Sequence, residues 1–340
     1  MTTKRVTLAD VARRAGLSSS AASMILNGRP DTRLSKDAHD RVHRAAAELG
    51  YRPNVAARSL RVDKTQTIGF ISDTVATTRF ASGLIKGALA AAERAEHVIL
   101  LAETGGDPTR ETEAIAALLD RQVDGIILAT TRSREVMVPT LPEKTRVVLL
   151  NAVSDSHATS VLPDEERGGR AAVALLADAG HHEGIVLLGH NEVTERDLFR
   201  STTVARRLAG IRDEMRERGL SFMREESVWD WAPANGYTLV DALLAEGALP
   251  RALLCLNDPL AFGAYQALTE RGLRVPDDVS IVSFDNDEIA SYLRPGLTTI
   301  ALPHEEMGAR AVELLLDGSA PHGEHLVEMP VIVRASIRQG

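Results

Sequence analysis

The chain has 340 residues, room for a small domain and one or two larger ones at the usual scale of about 100–200 residues each. Its single cysteine, Cys255, excludes a disulfide framework and fits a reducing compartment. Net charge is −8, yet residues 1–64 hold thirteen Lys/Arg against six Asp/Glu, or +7, which leaves −15 to residues 65–340: a basic head suited to phosphate contact, and an acidic body that is not.

The start MTTKRVTLADVA has no apolar segment of the signal-peptide kind, and no apolar run approaches the roughly 18 residues needed to span a bilayer, so the expectation is a cytoplasmic, nucleoid-associated protein without a membrane partner. Residues 7–27, TLADVARRAGLSSSAASMILN, read as two short helices joined at a glycine. Leu8, Val11, Ala12 and Ala15 fall at i, i+3, i+4 and i+7, the apolar stripe of one amphipathic helix. Thr7 is placed to cap it, with Asp10 where the acid of a capping box lies, although Glu or Gln is usual there. Gly16 permits a turn at positive φ. Ser18 caps a second helix with Ala22, Ile25 and Leu26 inward and Ser19, Ser20, Ser23 and Met24 outward. Taken alone, these residues fit a helix-turn-helix, which offers such a face to the major groove, or an αα-hairpin inside a core. Ser35 then caps a third helix over 36–49, with Ala38, Val42, Ala45, Ala46 and Leu49 inward and Gly50 as its stop.

Residues 51–61, YRPNVAARSLR, come next. From the helix-turn-helix through the third helix to Tyr-x-Pro-Asn and Ala-Arg-Ser-Leu, the chain resembles the lac/gal repressor family of bacterial transcriptional regulators, at matching spacing over about sixty residues. The resemblance continues to the C-terminus. It implies DNA contact by Thr7, Ser18, Ser19, Ser20, Ala21, Ser23, Met24, Asn27, Arg33, Tyr51, Asn54, Ala57, Arg58 and Leu60. Pro53 suits a helix's first turn, and residues 54–60 have length for two turns, too few for stability in isolation. In the family this hinge folds only when two subunits sit side by side on DNA, and a leucine, matched here by Leu60, enters the minor groove as a wedge. The reading helix departs from the family. Arginine is usual where Met24 stands and binds guanine bidentately, and a common threonine is replaced by Ala21. Hydrogen-bond readout therefore leans on Ser19, Ser20 and Ser23. Apolar contact with thymine methyls is open to Ala21 and Met24, and for Met24 so is a place in the core.

After a short polar linker at 62–66, strands and helices alternate: strands at 67–72, 97–102, 124–129 and 146–151 with helices near 81–95 and 111–121; then helix 166–179, strand 184–189, helices 204–218 and 234–246, strand 252–257, helix 260–271, strand 278–285, helix 305–316 and a strand near 327–333. Such runs indicate βαβ units with parallel sheets. The resemblance implies two lobes of the periplasmic sugar-binding kind, with the chain crossing between them near 161–164, 286–297 and 321–325. The expected architecture is an N-terminal all-α helix-turn-helix domain (1–51), a hinge helix and linker (52–66), and an α/β two-lobed periplasmic-binding-protein-like core with parallel sheets (67–340). Lobe 1 is expected at about 67–161 and 292–322, and lobe 2 at about 162–291 and 323–340.

The same resemblance implies an effector site. Arg207 in VARRLAG matches a ligand-contacting arginine, and Asp258 in CLNDPLAFGA an acid that accepts ligand hydroxyls, with Asn257 beside it. Trp231 in WDWAPANGY and Phe80 on the first lobe match aromatics over the ligand, though both are also readable as core. Stacking with a guanidinium and a carboxylate suits a neutral, hydroxyl-rich molecule, a sugar or nucleoside. Residues 191–200, NEVTERDLFR, read as an added charged loop near that mouth.

Gly-x-Ser-x-Gly, the Walker lysine loop, His-Glu-x-x-His and Gly-x-Gly-x-x-Gly are all missing, so no catalytic residue and no cofactor is expected. His39 and His43 share a helix face but have no third ligand in view, and His181–His182 read as a helix-end turn, so no metal site is expected either. The reading is a ligand-responsive regulator, a repressor, acting as a homodimer on a pseudo-palindromic double-stranded operator with a carbohydrate-like effector. A dimer rather than a tetramer is expected because the closing VIVRASIRQG carries no a/d leucine repeat. The alternatives are a sugar-binding transport receptor, opposed by the basic head, and an α/β enzyme, opposed by the lack of a nucleophile constellation.

Overall fold

A computed structural model describes residues 6–26, 34–51, 65–76, 78, 81–156, 159–193, 201–319 and 321–338. The chain divides at residue 65 into a head and a core.

The head holds α1 (Leu8–Ala15), α2 (Ser19–Leu26) and α3 (Lys36–Leu49). Thr7 is extended before α1, and its N–H and hydroxyl both donate to Asp10 Oδ2, at 3.0 and 2.6 Å, so aspartate fills the capping position usually given to Glu or Gln. Gly16 ends α1 in the left-handed region at φ 67°, which turns the chain toward α2. Ser18 Oγ accepts the Ala21 N–H at 3.2 Å, and Ser35 Oγ accepts the Ala38 N–H at 3.3 Å. Val11, Ala12, Ala15, Ala22, Ile25, Ala38, Val42 and Ala45 form the core, with Leu8, Leu26, Leu49 and Tyr51 packed on it. Small alanines let the helices approach closely. Val11, Ile25 and Val42 supply the large buried side chains, at about 1.5–3 kcal/mol each.

In the core the order is β1 (Thr67–Ser72), α4 (Ser82–Arg94), β2 (Val98–Glu103), α5 (Pro108–Asp120), β3 (Gly125–Glu135), β4 (Val147–Val153), β5 (Thr159–Pro163), α6 (Glu165–Asp178), β6 (Ile185–His190), α7 (Thr203–Glu217), β7 (Phe222–Ser227), α8 (Pro233–Ala245), β8 (Ala252–Cys255), α9 (Asp258–Glu270), β9 (Ser280–Asp285), α10 (Glu288–Tyr292), β10 (Thr298–Ala301), α11 (His304–Leu316), β11 (Gly323–Val327) and β12 (Val331–Ile332). The first sheet runs β11-β5-β4-β3-β1-β2, with every pairing parallel. The second runs β12-β10-β9-β8-β6-β7, parallel except for the β10–β12 pair. Their central strands are buried almost throughout because helices cover both faces, which is why they read as unbroken apolar runs.

The topology corrects two of the three expected lobe crossings. The first, at 161–164, lies between β5 and α6 as expected. The second does not fall at 286–297: β10 pairs with β9, keeping residues 298–301 in lobe 2, and the chain crosses only just before α11, whose Met307, Ala311 and Leu315 pack with Ile68 and Phe70. The third is not at 321–325, because β11 pairs with β5 and stays in lobe 1. The strand expected near 327–333 is accordingly two short strands in different sheets.

Gly236 on α8 and Gly263 on α9 let these helices cross backbone to backbone; a Cβ on Gly263 would collide with the Pro233 carbonyl, and one on Gly236 with that of Leu260. This crossing sets the N-terminal ends of both helices at the same cleft. Gly263→Ala is therefore expected to destabilise the core by about 1–3 kcal/mol, read as a lowered urea midpoint; an unchanged midpoint would show that the crossing relaxes freely.

Candidate DNA interface and effector cleft

On the head, Ser18, Ser19 and Ser20 are exposed at the start of α2, and Ser23 and Met24 are half-buried one turn on. Met24 takes no part in the head's apolar cluster, which places it on the serine side rather than in the core. Ala21 is a correction: it is only 7% exposed, because it shares the inner arc of α2 with Ala22 and Ile25, and its methyl is withdrawn from any thymine. Thr7 is exposed, and Tyr51 is half-buried against the core of the head. Asn27, Arg33, Asn54, Ala57, Arg58 and Leu60 lie outside the described residues, as do Phe80 and most of the charged loop at 191–200.

In the core, the carboxyl ends of both sheets enclose a cleft of about 1040 Å³. Lobe 1 contributes Asp73 and Thr74 after β1, Thr131 to Arg134 in β3, and Asn151 in β4; lobe 2 contributes Gly189, Asn257 and Asp285 from the ends of β6, β8 and β9. In each sheet the cleft includes the point where strand order reverses, between β1 and β3 and between β6 and β8, the usual ligand position in open α/β sheets. A register shift in β3 between Ala129 and Arg134 turns the intervening residues into the cleft. Asp73 Oδ1 holds that segment by accepting the Thr131 N–H at 2.9 Å and hydroxyl at 2.8 Å. The lobes touch at the rim: the Ser133 carbonyl accepts the Thr202 N–H at 2.8 Å, and Arg206 on α7 forks onto Glu324 of β11 at 2.8 and 2.7 Å.

Arg207 lines the cleft, but it is 1% exposed and already engaged. Nε and Nη2 donate to the two oxygens of Glu165 at 2.7 and 3.0 Å, Nη1 donates to the Leu256 carbonyl, and the guanidinium lies 4.1 Å over the Phe284 ring. The expected ligand-facing arginine is a buried, paired one. Asn257 also lines the cleft with its amide committed: Oδ1 caps α9 by accepting the Leu260 N–H at 2.9 Å, and Nδ2 donates to the Trp231 carbonyl. Trp231 is half-buried, its Nε1 donating to the Gly189 carbonyl at 2.8 Å while the residue lines the wall.

Asp258 is the main correction. It is fully buried and turned away from the cleft, in the first turn of α9, where it accepts from the hydroxyls of Ser283 and Thr299 and from the Asp287 N–H. Both oxygens are taken, so no ligand hydroxyl is needed to satisfy it. Burial nevertheless raises its carboxyl to about 6, against the pull of those hydrogen bonds. The acids that do line the cleft are Asp73, Glu165, Asp230, Asp285 and Asp287. Asp285 sits at φ 105°, in a region rarely held by non-glycine residues, and burial pushes its carboxyl well above the ordinary range despite nearby Arg207. Asp285, Asp287, Glu165 and the exposed Trp229 were absent from the expected site. The repeated acids of SFDND and the paired indoles of WDW were the only visible signals of Asp285, Asp287 and Trp229, and neither motif contains Glu165.

A serine-faced helix-turn-helix head together with a two-lobed α/β core that holds an interlobe cleft defines a class: a DNA-binding regulator built on a ligand-binding core. Residues 7–54 match the bacterial regulatory proteins of the lacI family, and residues 176–337 match a periplasmic binding protein-like domain. The chain is 31% identical to the HTH-type transcriptional repressor PurR of Vibrio campbellii over 98% of its own length and 99% of that protein's. It is 31% identical to the ribose operon repressor of Haemophilus influenzae over 97% and 98%. A solved lac repressor dimer bound to operator and the anti-inducer ONPF superimposes with a TM-score of 0.76 at 28% identity, covering 98% of this chain and 99% of that one. The chain belongs to the lacI family of bacterial regulatory proteins, a DNA-binding transcriptional regulator rather than a transport receptor. Among the described residues, no helix is long and apolar enough to cross a membrane.

Two outcomes follow from the buried charges. Glu165→Ala strands the Arg207 charge and is expected to cost about 3–5 kcal/mol of core stability by chemical denaturation; a loss under 1 kcal/mol would mean that water reaches the guanidinium. Asp258 has a folded-state value near 6 against 3.8 for the free carboxyl, so across that window the folded state holds a proton that the unfolded state has lost. Its contribution to stability therefore falls as pH rises from 3.8 to about 6. Wild-type unfolding free energy should decline with pH relative to Asp258→Asn, and parallel profiles would show that Asp258 does not titrate there.

Proposed function

We propose that this regulator is a homodimeric repressor of transcription that binds a pseudo-palindromic operator and is switched by a small polar effector in the interlobe cleft. The observation that carries this reading is the exposed serine end of α2 on a head of charge +7. Helix termini and hydroxyls of this kind meet phosphates and base edges in the major groove. In this reading Ser18, Ser19, Ser20 and Ser23 make the polar contacts and Met24 the apolar one, flanked by Thr7, Asn27, Arg33 and Tyr51. Asn54, Ala57, Arg58 and Leu60 form the hinge that enters the minor groove. Repressor relatives and a lac repressor dimer solved on its operator support the two-copy arrangement, with one half-site for each head.

The effector sits between Trp231 and the acids of lobe 2 on one side and the β3 bulge on the other, with Phe80 on the first lobe. It shifts the regulator between states only by the difference in its affinity for them. The protein acts without catalysis, in the cytoplasm on the nucleoid. Its repressor relatives support that reading.

In a mobility-shift assay with the protein's own upstream DNA, Leu60→Ala should weaken specific binding by about tenfold or more while the circular dichroism spectrum is unchanged, because the wedge is lost. Undiminished affinity would remove the hinge from the reading. Met24→Arg should change base preference at one position of each half-site by about 1–3 kcal/mol; identical binding logos from random-DNA selection would show that Met24 does not face the bases.

A further inference from the structure

On the head, α2 does little to fix its own direction. Its inner face is Ala21, Ala22 and Ile25, two methyls and one branched side chain. Burying such a face holds the helix against its neighbours, but the force is non-directional, and methyls without ridges leave the crossing angle loosely set. The angle must then come from the turn that joins α1 to α2, and that turn is gripped from α3. The Leu17 and Gly16 N–H groups close the end of α1 onto the Ala12 and Arg13 carbonyls, at 3.0 and 3.3 Å. The Ala15 carbonyl, the last of the helix, accepts instead from Arg41 Nη1 at 3.2 Å. The same nitrogen lies 3.5 Å from where a Cβ on Gly16 would stand, so the guanidinium rests against the left-handed turn itself. Asp37, one turn earlier on α3, takes Arg41 Nε at 3.0 Å and holds the side chain in that direction. A cation on a helix's terminal carbonyl is favoured by the helix dipole as well as by the bond.

Two donors of this arginine are thus spent inside the head. Resting on the reading of α2 as the helix that faces the bases, we propose that Arg41 is a positioning residue for operator recognition. By holding the Ala15 carbonyl it sets the angle at which α2 brings Ser19, Ser20 and Ser23 to the major groove, while itself touching neither base nor phosphate. Base-edge contacts depend on that angle, whereas binding to arbitrary DNA rests on phosphate charge and depends on it far less. Arg41 therefore acts on the ratio of the two affinities. A matched control lies close by: Arg14 Nε and Nη2 donate to Glu48 Oε2 at 3.1 and 2.9 Å, a second bridge between α1 and α3 that runs from helix to helix rather than to the turn.

The full-length protein would be titrated by fluorescence anisotropy against labelled duplexes of its own upstream DNA and of the scrambled sequence, from about 50 to 200 mM salt. Arg41→Met, which keeps the stem and removes the donors, should lower the upstream-to-scrambled affinity ratio by about five- to tenfold at an unchanged salt slope. Asp37→Asn should lower the same ratio by about threefold, although it makes the head more basic. Glu48→Gln changes the charge equally but spares the turn, so its ratio should stay at the wild-type value. Arg41→Lys, with one charged donor retained, should recover part of the loss. Circular dichroism and binding to scrambled DNA report whether each head is folded; should Arg41→Met lose helix, the contrast of Asp37→Asn with Glu48→Gln carries the test alone. An unchanged ratio in Arg41→Met overturns the proposal, as does an equal fall in Glu48→Gln, or a salt slope reduced by about one, the mark of a lost phosphate contact. The reading of α2 is checked separately with Ser19→Ala, Ser20→Ala and Ser23→Ala combined. A wild-type ratio in that variant removes α2 as the reading helix, whereas a ratio lost there but kept in Arg41→Met removes only the positioning role.

Discussion

The Glu165–Arg207 pair is the constraint on which lobe 2 depends. Taking a guanidinium and a carboxylate out of water costs several kcal/mol per ion, and attraction offsets this only when geometry is good and the remaining donors are satisfied. Here two parallel hydrogen bonds, the Leu256 carbonyl and the Phe284 face supply those conditions. The partners come from the start of α6, from α7, and from the ends of β8 and β9. One side chain thus fixes the floor of the cleft before any ligand arrives. Asp258 does the equivalent task behind it, tying the first turn of α9 to β9, β10 and the turn at Asp287.

α7 also links floor to rim. Arg206 and Arg207 are consecutive, yet one grips Glu324 across the lobes and the other grips Glu165 beneath the cleft. Thr202, just before the helix, meets Ser133 of the β3 bulge. A movement of one lobe against the other must therefore strain or break contacts that share a helix with the cleft floor. The Arg206–Glu324 fork is part-exposed, so it contributes modestly to stability. Its value lies in geometry, because it sets a particular lobe spacing that a ligand can favour or oppose.

Periodicity made much of this fold legible. The head follows its caps and glycine stops residue for residue, and TIGFIS or GIVLLG announce buried parallel strands by unbroken apolar runs. The elements that were not visible are those with weak patterns. FMREES of β7 is an edge strand with alternating exposure, while TSVLP of β5 and TTIA of β10 are too short to display a period. Missing β10 is also what displaced the second crossing. In the site, the family resemblance placed Arg207 and Asp258 at a cleft, but the sequence did not tell which way they faced. Burial and partner came from distant residues, Glu165 on one hand and Ser283 and Thr299 on the other, and no local spacing encodes that pairing. Ala21 was misplaced for a smaller reason: with alanine at both 21 and 22, hydropathy alone does not show that the inner arc of the helix is wide enough to take both.

The serine-rich reading face bears on how strongly the regulator can be held and how easily released. A neutral hydroxyl–base hydrogen bond contributes about 0.5–1.5 kcal/mol, less than the 1–3 kcal/mol of a bidentate arginine–guanine pair. On the proposed reading, with methionine and alanine where arginine and threonine are usual, hydrogen-bond readout is left to the serines and more of the affinity comes from phosphate contacts by the basic head, which are blind to sequence and weaken with salt. The acidic body, at −15, adds repulsion rather than grip. On the proposed reading, specific binding rests on combining two heads and the hinge, each contributing little alone. A complex assembled from such modest terms lies within reach of the 1–3 kcal/mol coupling typical of an allosteric effector, so economy at the DNA face and a preformed charged floor in the cleft serve the same switch.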